Sequence, residues 1–141
     1  MNIRPLSIAL IQNKGKIFVM ECFDTIKNEE FYRPLGGGIE FGELGHIALK
    51  REFQEEMNTD LENIEYITTF ENIFTCEAAA GHEIVLLFSA DFTDKTIYSM
   101  DEVMCNEGGI PFKSKWIDVK DFINNERILY PDGLSEYLEK R

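Results

Sequence analysis

The feature that most limits the possible folds is one long amphipathic helix, predicted from about Glu43 to Met57, among segments typical of strands. Its apolar residues recur at spacings of three and four: Leu44, Ile47, Ala48, Leu49, Phe53 and Met57. This spacing places them on one face of an α-helix, with the charged residues on the other. Because such a helix must bury its apolar face against another layer, we predict a mixed α/β domain.

Strand-like segments precede and follow this helix. The runs 4–12 and 16–22 flank Asn13, Lys14 and Gly15, a turn signal that predicts a hairpin of two antiparallel strands. A short strand is expected to break at the glycines 36–38. Segments 63–75 and 82–92 are predicted to be two strands joined by a turn. A shorter strand is predicted at 114–119, with helices at 120–126 and within 131–141. No linker or repeat divides the chain, so residues 1–141 are predicted to form one domain, a sheet with helices on its faces.

The charge balance limits the partners. The chain has 26 acidic and 14 basic residues, a net charge of -12. Phosphate backbones are held mainly by lysine and arginine, so no long nucleic acid is expected as a partner. The three cysteines have no CxxC spacing, and the first residues lack the pattern of a signal peptide. No apolar run reaches the ~20 residues that span a bilayer, so a cytoplasmic protein without membrane contact is expected.

Three glutamates near the end of the helix, which we term the carboxylate cluster, form the main candidate site: Glu52, Glu55 and Glu56. Residues at these spacings share a helical face. They are either a solvated acidic surface or a site for a hard divalent cation, which prefers oxygen ligands. The surroundings favour the cation site. The upstream glycines would let a diphosphate approach the backbone, and Arg51 can orient the carboxylates.

These residues together resemble the Nudix box. The box has Gly, five residues, Glu, seven residues, then Arg, Glu, an apolar residue, any residue, Glu, Glu, any residue, Gly and an apolar residue. Its first seven fixed positions are filled by Gly37, Glu43, Arg51, Glu52, Phe53, Glu55 and Glu56. Asn58 and Thr59 depart from its last two. Asparagine is the residue that best replaces glycine in a left-handed helix end, so the loop–helix–loop is expected to be kept.

The resemblance implies a Nudix-like α/β/α sandwich, with a mixed sheet between helices. It also implies hydrolysis, dependent on Mg²⁺ or Mn²⁺, of the pyrophosphate bond in a small nucleoside diphosphate-linked substrate, with release of a nucleoside monophosphate. The carboxylate cluster would bind the metal, with the Gly36 carbonyl as a further ligand. Glu43 and Arg51 would brace the loop and the ligands.

Other residues could complete the site. The base that takes the proton of the attacking water could be Glu55, Glu56 or Glu107, the last in a later glycine-rich loop. Arg33 could contact a phosphate, or pair with one of the nearby acids. His82 could donate a hydrogen bond to a phosphate, or simply be satisfied at the end of a strand; its neighbour Glu83 is a lesser candidate.

Alternatives to a small-nucleotide hydrolase remain open from the sequence. One is a non-catalytic nucleotide-binding regulatory module with the Nudix fold. Another is a pyrophosphohydrolase of RNA 5′ ends, which would need a basic groove that this acidic composition makes difficult to build. Apolar edge strands could also pair two copies of the chain in a homodimer.

Overall fold

The computed structural model describes all 141 residues, which form two sheets and three α-helices. The first sheet consists of β1 (Ile3–Leu10), β5 (Gly36–Gly38), β6 (Leu61–Cys76) and β7 (Ala79–Phe92), in the order β5-β1-β7-β6. The second sheet consists of β2 (Gln12–Asn13), β3 (Lys16–Asp24), β4 (Glu29–Pro34), β8 (Glu102–Glu107) and β9 (Ile110–Asp118). The helices are α1 (Gly45–Met57), α2 (Val119–Ile123) and α3 (Leu134–Glu139), with a short 3₁₀ helix at Lys95–Ser99.

Strand β1 separates two hydrophobic cores. It runs parallel to β7 and antiparallel to β5, and from Leu6 onward it is buried on both faces. Leu6 and Ile8 face a core completed by residues of α2 and α3, whereas Ala9 faces a core completed by Leu49 and Phe53 of α1. Helices therefore cover both sides, and the predicted mixed α/β/α sandwich is confirmed, with two sheets in place of the single sheet expected.

Helix α1 confirms the predicted helix, and its start lies two residues later than expected. Ala48, Leu49 and Phe53 are buried as predicted. The predicted face was wrong at Leu44 and Ile47, which are 65% and 43% exposed because Leu44 caps the helix and Ile47 lies in its first turn, before the buried positions begin at Ala48.

The end of α1 has the left-handed geometry that the sequence predicted. Asn58 has φ 51° and ψ 45°, and its backbone N–H donates to the Gln54 carbonyl at 3.0 Å. Asparagine tolerates this conformation better than most residues, so the substitution for glycine keeps the helix end. The loop–helix–loop is therefore intact.

The two predicted hairpins have different outcomes. The β6–β7 hairpin is confirmed, with its turn at Glu77 and Ala78. The hairpin predicted from 4–12 and 16–22 is wrong, because β1 belongs to the other sheet and only Gln12–Asn13 pairs with β3. From Leu6 onward β1 is buried on both faces, and this strand is stabilised between β5 and β7 of the first sheet.

The predicted short strand is β4, which ends at Pro34, and the glycines 36–38 then form a separate strand, β5, which pairs with β1 of the other sheet. A β-carbon on Gly36 would overlap the Ser7 carbonyl, so the two backbones approach closely only because this residue is glycine. Strand β8 was not predicted; it pairs with β9, which begins four residues before the predicted strand. None of the α-helices has the length and hydrophobicity of a membrane-spanning segment.

Candidate active site

Arg51 connects the three segments that surround the carboxylate cluster. Its Nε and Nη2 atoms donate to the two carboxylate oxygens of Glu43 at 2.8 and 2.9 Å. Nη2 also donates to the Gly38 carbonyl at 2.9 Å. A bidentate arginine–carboxylate pair has a fixed planar geometry, so this one side chain fixes α1 against the preceding loop and against β5.

The same guanidinium contacts two members of the carboxylate cluster. Nη1 of Arg51 donates to Glu52 at 2.9 Å and lies 3.4 Å from both oxygens of Glu55. Hydrogen bonds from Arg51, followed by a backbone N–H bond, hold the pKa of Glu43 at about 2. In return, the Glu43 hydrogen bonds raise the pKa of Arg51. Glu43 and Arg51 thus form a permanently charged brace.

Glu56 differs from its two partners because it is buried. Its residue is 6% exposed, and its Oε1 atom has no hydrogen-bond partner. Burial, followed by the negative charges of Glu52 and Glu107, raises the pKa of Glu56 to about 8. A buried carboxylate oxygen without a partner is costly to the fold. Such a group is well explained by a ligand that the oxygen binds.

Glu52 lies against the backbone of β5, which we term the glycine strand because it consists of Gly36–Gly38. A β-carbon on Gly37 would overlap its carboxyl group, so the absence of a side chain at Gly37 makes room for the carboxylate. Burial outweighs the nearby Arg51 and raises the pKa of Glu52. The other cluster member, Glu55, remains 58% exposed on its side chain. Solvent exposure therefore decreases from Glu55 through Glu52 to Glu56.

The oxygen donors of this cluster fit a hard divalent cation, and the partnerless Glu56 oxygen is the strongest sign of it. The ligand set is not fully assembled, since nowhere do three or more Asp, Glu, His or Cys side chains stand close enough to hold a metal ion. Arg51 instead holds Glu52 and Glu55 by hydrogen bonds. A cation would replace part of this contact.

Glu107 is brought to the cluster by the second sheet. It ends β8 and pairs with Ile110 across a two-glycine turn. Helix α1 packs on β8, and the negative charge of Glu107 raises the pKa of both Glu52 and Glu56. The predicted loop position was therefore slightly wrong, since Glu107 is the last residue of a strand. Its catalytic role stays a prediction.

Arg33 lies between the cluster and a cavity of about 310 Å³. Its positive charge lowers the pKa of Glu56, and its Nε atom contacts the Met20 sulfur at 3.3 Å. The cavity is lined by residues of β1, β3, β4, β6 and β7, by Lys27 between β3 and β4, and by Tyr130 and Pro131. Sequence reasoning missed this cavity, because its walls come from strands of both sheets and a later loop, and no local pattern indicates that these segments meet.

His82 is not placed with the other candidates. It opposes Ile3 on β1 and Ile73 on β6, both largely exposed, and it does not line the cavity. Its neighbour Glu83 points to the other face of the sheet, as successive strand residues do, and does line the cavity. A role for His82 stays a prediction that this placement does not favour.

Comparisons with solved structures identify proteins of the same fold. The chain is similar in structure to a NUDIX hydrolase from Nitrosomonas europaea, with 14% identity, a TM-score of 0.67 and coverage of 98% of this chain and 87% of the other. A MutT NUDIX hydrolase from Burkholderia pseudomallei shares 17% identity at a TM-score of 0.61, over 86% and 88% of the two chains. The mutator MutT protein from Bacillus halodurans shares 15% identity at a TM-score of 0.62, with coverage of 99% of this chain and 81% of the other. These similarities show the fold.

Two sequence comparisons gave different results. No curated protein sequence is a significant match. A sequence model described as NUDIX domain, however, matches residues 1–132, which include the loop, the helix and every member of the carboxylate cluster. The chain therefore belongs to the Nudix family of hydrolases.

Proposed function

We propose that this Nudix hydrolase cleaves the pyrophosphate bond of a small nucleoside diphosphate-linked substrate and releases a nucleoside monophosphate. The substrate would be a nucleoside triphosphate, a nucleotide sugar or a dinucleotide. The observation that carries the proposal is the buried Glu56 oxygen without a partner, beside a glutamate that rests on Gly37. In a solvated acidic surface all three carboxylates would be exposed to water, whereas Glu56 is buried.

The carboxylate cluster would hold Mg²⁺ or Mn²⁺, as members of the family generally use divalent metals. When bound, the cation would neutralise the pyrophosphate and make the attacking water more acidic. The Gly36 carbonyl is a further candidate ligand. It lies two residues before the Gly38 carbonyl on the edge strand, and strand alternation is expected to direct both toward α1.

Residues outside the cluster would position the reactants. Glu43 and Arg51 keep the glycine strand and α1 at a fixed separation through the 2.8 to 2.9 Å bonds between them. Arg33 would contact a phosphate, since it stands between the cluster and the cavity. Fixed positive charge beside the transferred group stabilises the charge that develops there.

Three glutamates are candidates for the base that accepts the proton of the attacking water. Glu56 has a raised pKa, which suits a group that takes up a proton near neutral pH. Glu107 approaches the cluster from β8, and the exposed Glu55 completes the set. Replacing each glutamate by glutamine in turn tests the role, because loss of the base should lower kcat and remove its limb of the pH profile without lowering the affinity for Mn²⁺.

The test is a metal-dependent assay over a panel of nucleotides, with identification of both products. We expect turnover by the natural sequence and its loss, by about 100-fold or more, in Glu56→Gln. The matched control is Glu139→Gln, an exposed glutamate of α3. Equal turnover by all three proteins would refute the assigned site.

A nucleotide-binding module without turnover is the second candidate. It is favoured by one observation, that the cluster is held by Arg51 and not assembled as a metal site. Calorimetry that shows nucleotide binding with Mg²⁺ or Mn²⁺, without any product, would favour this module. Product formation by the same sample would exclude it.

A further inference from the structure

The cavity contains a buried polar pair on an otherwise apolar sheet face. Asn72 of β6 and Glu83 of β7 stand directly opposite each other in the register. Each is 6% exposed, and both line the cavity. The neighbouring position on the same face of β7 is the core residue Val85. Buried polar groups cost free energy unless they are hydrogen-bonded, so this pair requires partners.

Only some of the hydrogen-bonding atoms of Asn72 and Glu83 have partners within the protein. The Asn72 Oδ1 atom accepts from the Asp132 backbone N–H at 3.4 Å, which orients the amide and leaves its NH₂ group as a free donor. The one hydrogen bond of Glu83 comes from Arg4 to Oε2 at 3.5 Å, and the Arg4 side chain is 62% exposed. The pair therefore offers the cavity an N–H donor beside a carboxylate acceptor.

Four aromatic residues line the cavity, Phe23, Phe31, Phe74 and Tyr130, and the charged residues Asp24, Lys27 and Glu29 lie at its β3–β4 side. Phe31 and Tyr130 pack edge to face, with ring centroids 5.3 Å apart. On the opposite wall, the Phe74 ring lies over Gly81, where any β-carbon would overlap it. A volume of about 310 Å³ is at the lower end of the range for small-molecule pockets. The cavity thus suits a planar heterocycle whose edge meets Asn72 and Glu83.

We propose that Asn72 and Glu83 select the base of the substrate, and that the base is guanine. This inference rests on the proposed function, with Arg33 between the base cavity and the carboxylate cluster. Guanine has a carbonyl acceptor, O6, next to two N–H donors, N1–H and the 2-amino group. The Asn72 amide donates to O6, and the Glu83 carboxylate accepts from both donors.

Other bases match this pair less well. Adenine has a single amino donor and no neighbouring ring N–H, so it cannot make the two parallel bonds to the carboxylate. Uracil and thymine place a carbonyl oxygen on each side of their one N–H, and one oxygen would face Glu83. A bidentate, charge-assisted contact gives guanine the largest number of strong hydrogen bonds.

The test measures binding of nucleoside monophosphates by calorimetry, with Mg²⁺ present and with no pyrophosphate bond to cleave. We expect GMP to bind about 10-fold or more tighter than AMP, and tighter than IMP, which lacks the 2-amino group. In Glu83→Gln the preference for GMP over IMP should disappear. Asn72→Asp, which turns the donor to O6 into an acceptor, should weaken GMP and IMP alike.

The matched control is Glu71→Gln, an exposed glutamate next to Asn72 that points to the other face of β6. It should bind like the natural sequence. An equal ratio of GMP to IMP affinity in the natural sequence and in Glu83→Gln would overturn the inference. Hydrolysis of nucleotides without base preference would refute this inference alone, whereas selective GMP binding without hydrolysis of any nucleotide would refute the proposed function alone.

Discussion

Replacing Glu56 by glutamine should stabilise the metal-free protein while it removes activity. Glu56 is 6% exposed, and its pKa is raised to about 8 by burial and by the charges of Glu52 and Glu107. A carboxyl group with a raised pKa in the folded state is destabilising when ionised. The protein keeps its full stability below the ordinary pKa of 4.5 and loses stability as pH rises toward about 8.

The size of the effect follows from that difference in pKa. One pKa unit corresponds to about 1.4 kcal/mol, so the loss in the natural sequence between about pH 5 and pH 8 is about 3 to 4 kcal/mol. Glutamine cannot ionise and lacks this loss. The Glu56→Gln variant should therefore be the more stable protein at pH 8, by nearly that amount, and close to the natural sequence at pH 5.

Urea unfolding at both pH values, with a chelator to exclude divalent ions, measures this difference directly. Titrating groups distant from Glu56 contribute equally to both proteins and cancel in the comparison, whereas the coupling of Glu56 to Glu52 and Glu107 is part of the measured difference. Glu55→Gln, on the same helix but 58% exposed, is the control and should change little. If the natural sequence and Glu56→Gln show the same dependence of unfolding free energy on pH, the buried ionisable state of Glu56 is refuted.

Three further substitutions test the glycine strand, the brace and the end of α1. Gly37→Ala would push its β-carbon into the Glu52 carboxyl group, and titration with Mn²⁺ should show affinity lowered about 10-fold or more; unchanged affinity would contradict a ligand role for Glu52. Arg51→Lys cannot keep the planar bonds to Glu43 and Gly38, so urea unfolding should show a loss of about 1 to 3 kcal/mol, and no loss would refute the brace. Asn58→Gly should raise the unfolding free energy by up to about 1 kcal/mol, because φ is 51° there, and a clear decrease in thermal stability would argue against this account of the helix end.

Local patterns in the sequence were sufficient for some elements. The periodicity of α1 depends on residues within one helix, and the turn between β6 and β7 joins strands that are neighbours along the chain. The spacing of Arg51, Glu52, Glu55 and Glu56 is likewise contained in two turns. The burial of Glu56 could also have been found, since it follows Phe53 by three residues and Leu49 by seven and so lies on their buried face.

Features that depend on distant segments were not predictable in this way. The pairing of β1 with β7 joins residues nearly 80 positions apart, as in Ile3 with His82. Glycines have low strand propensity, so β5 exists only because β1 supplies its hydrogen-bonding partner. The facing positions of Asn72 and Glu83 follow from the position of the turn at Glu77 and Ala78, which the sequence placed only within 76–81, and a shift of one residue would reverse their faces.

The most direct test of the metal assignment is Mn²⁺ binding, followed by electron paramagnetic resonance, in the natural sequence, Glu56→Gln and the exposed control Glu139→Gln. The natural sequence and the control should bind Mn²⁺ with the same affinity, because neither alters the carboxylate cluster. Glu56→Gln should bind Mn²⁺ about 10-fold or more less tightly, since the amide has no negative charge and keeps only one of the two carboxylate oxygens at this buried position. Equal binding by all three proteins would contradict the account.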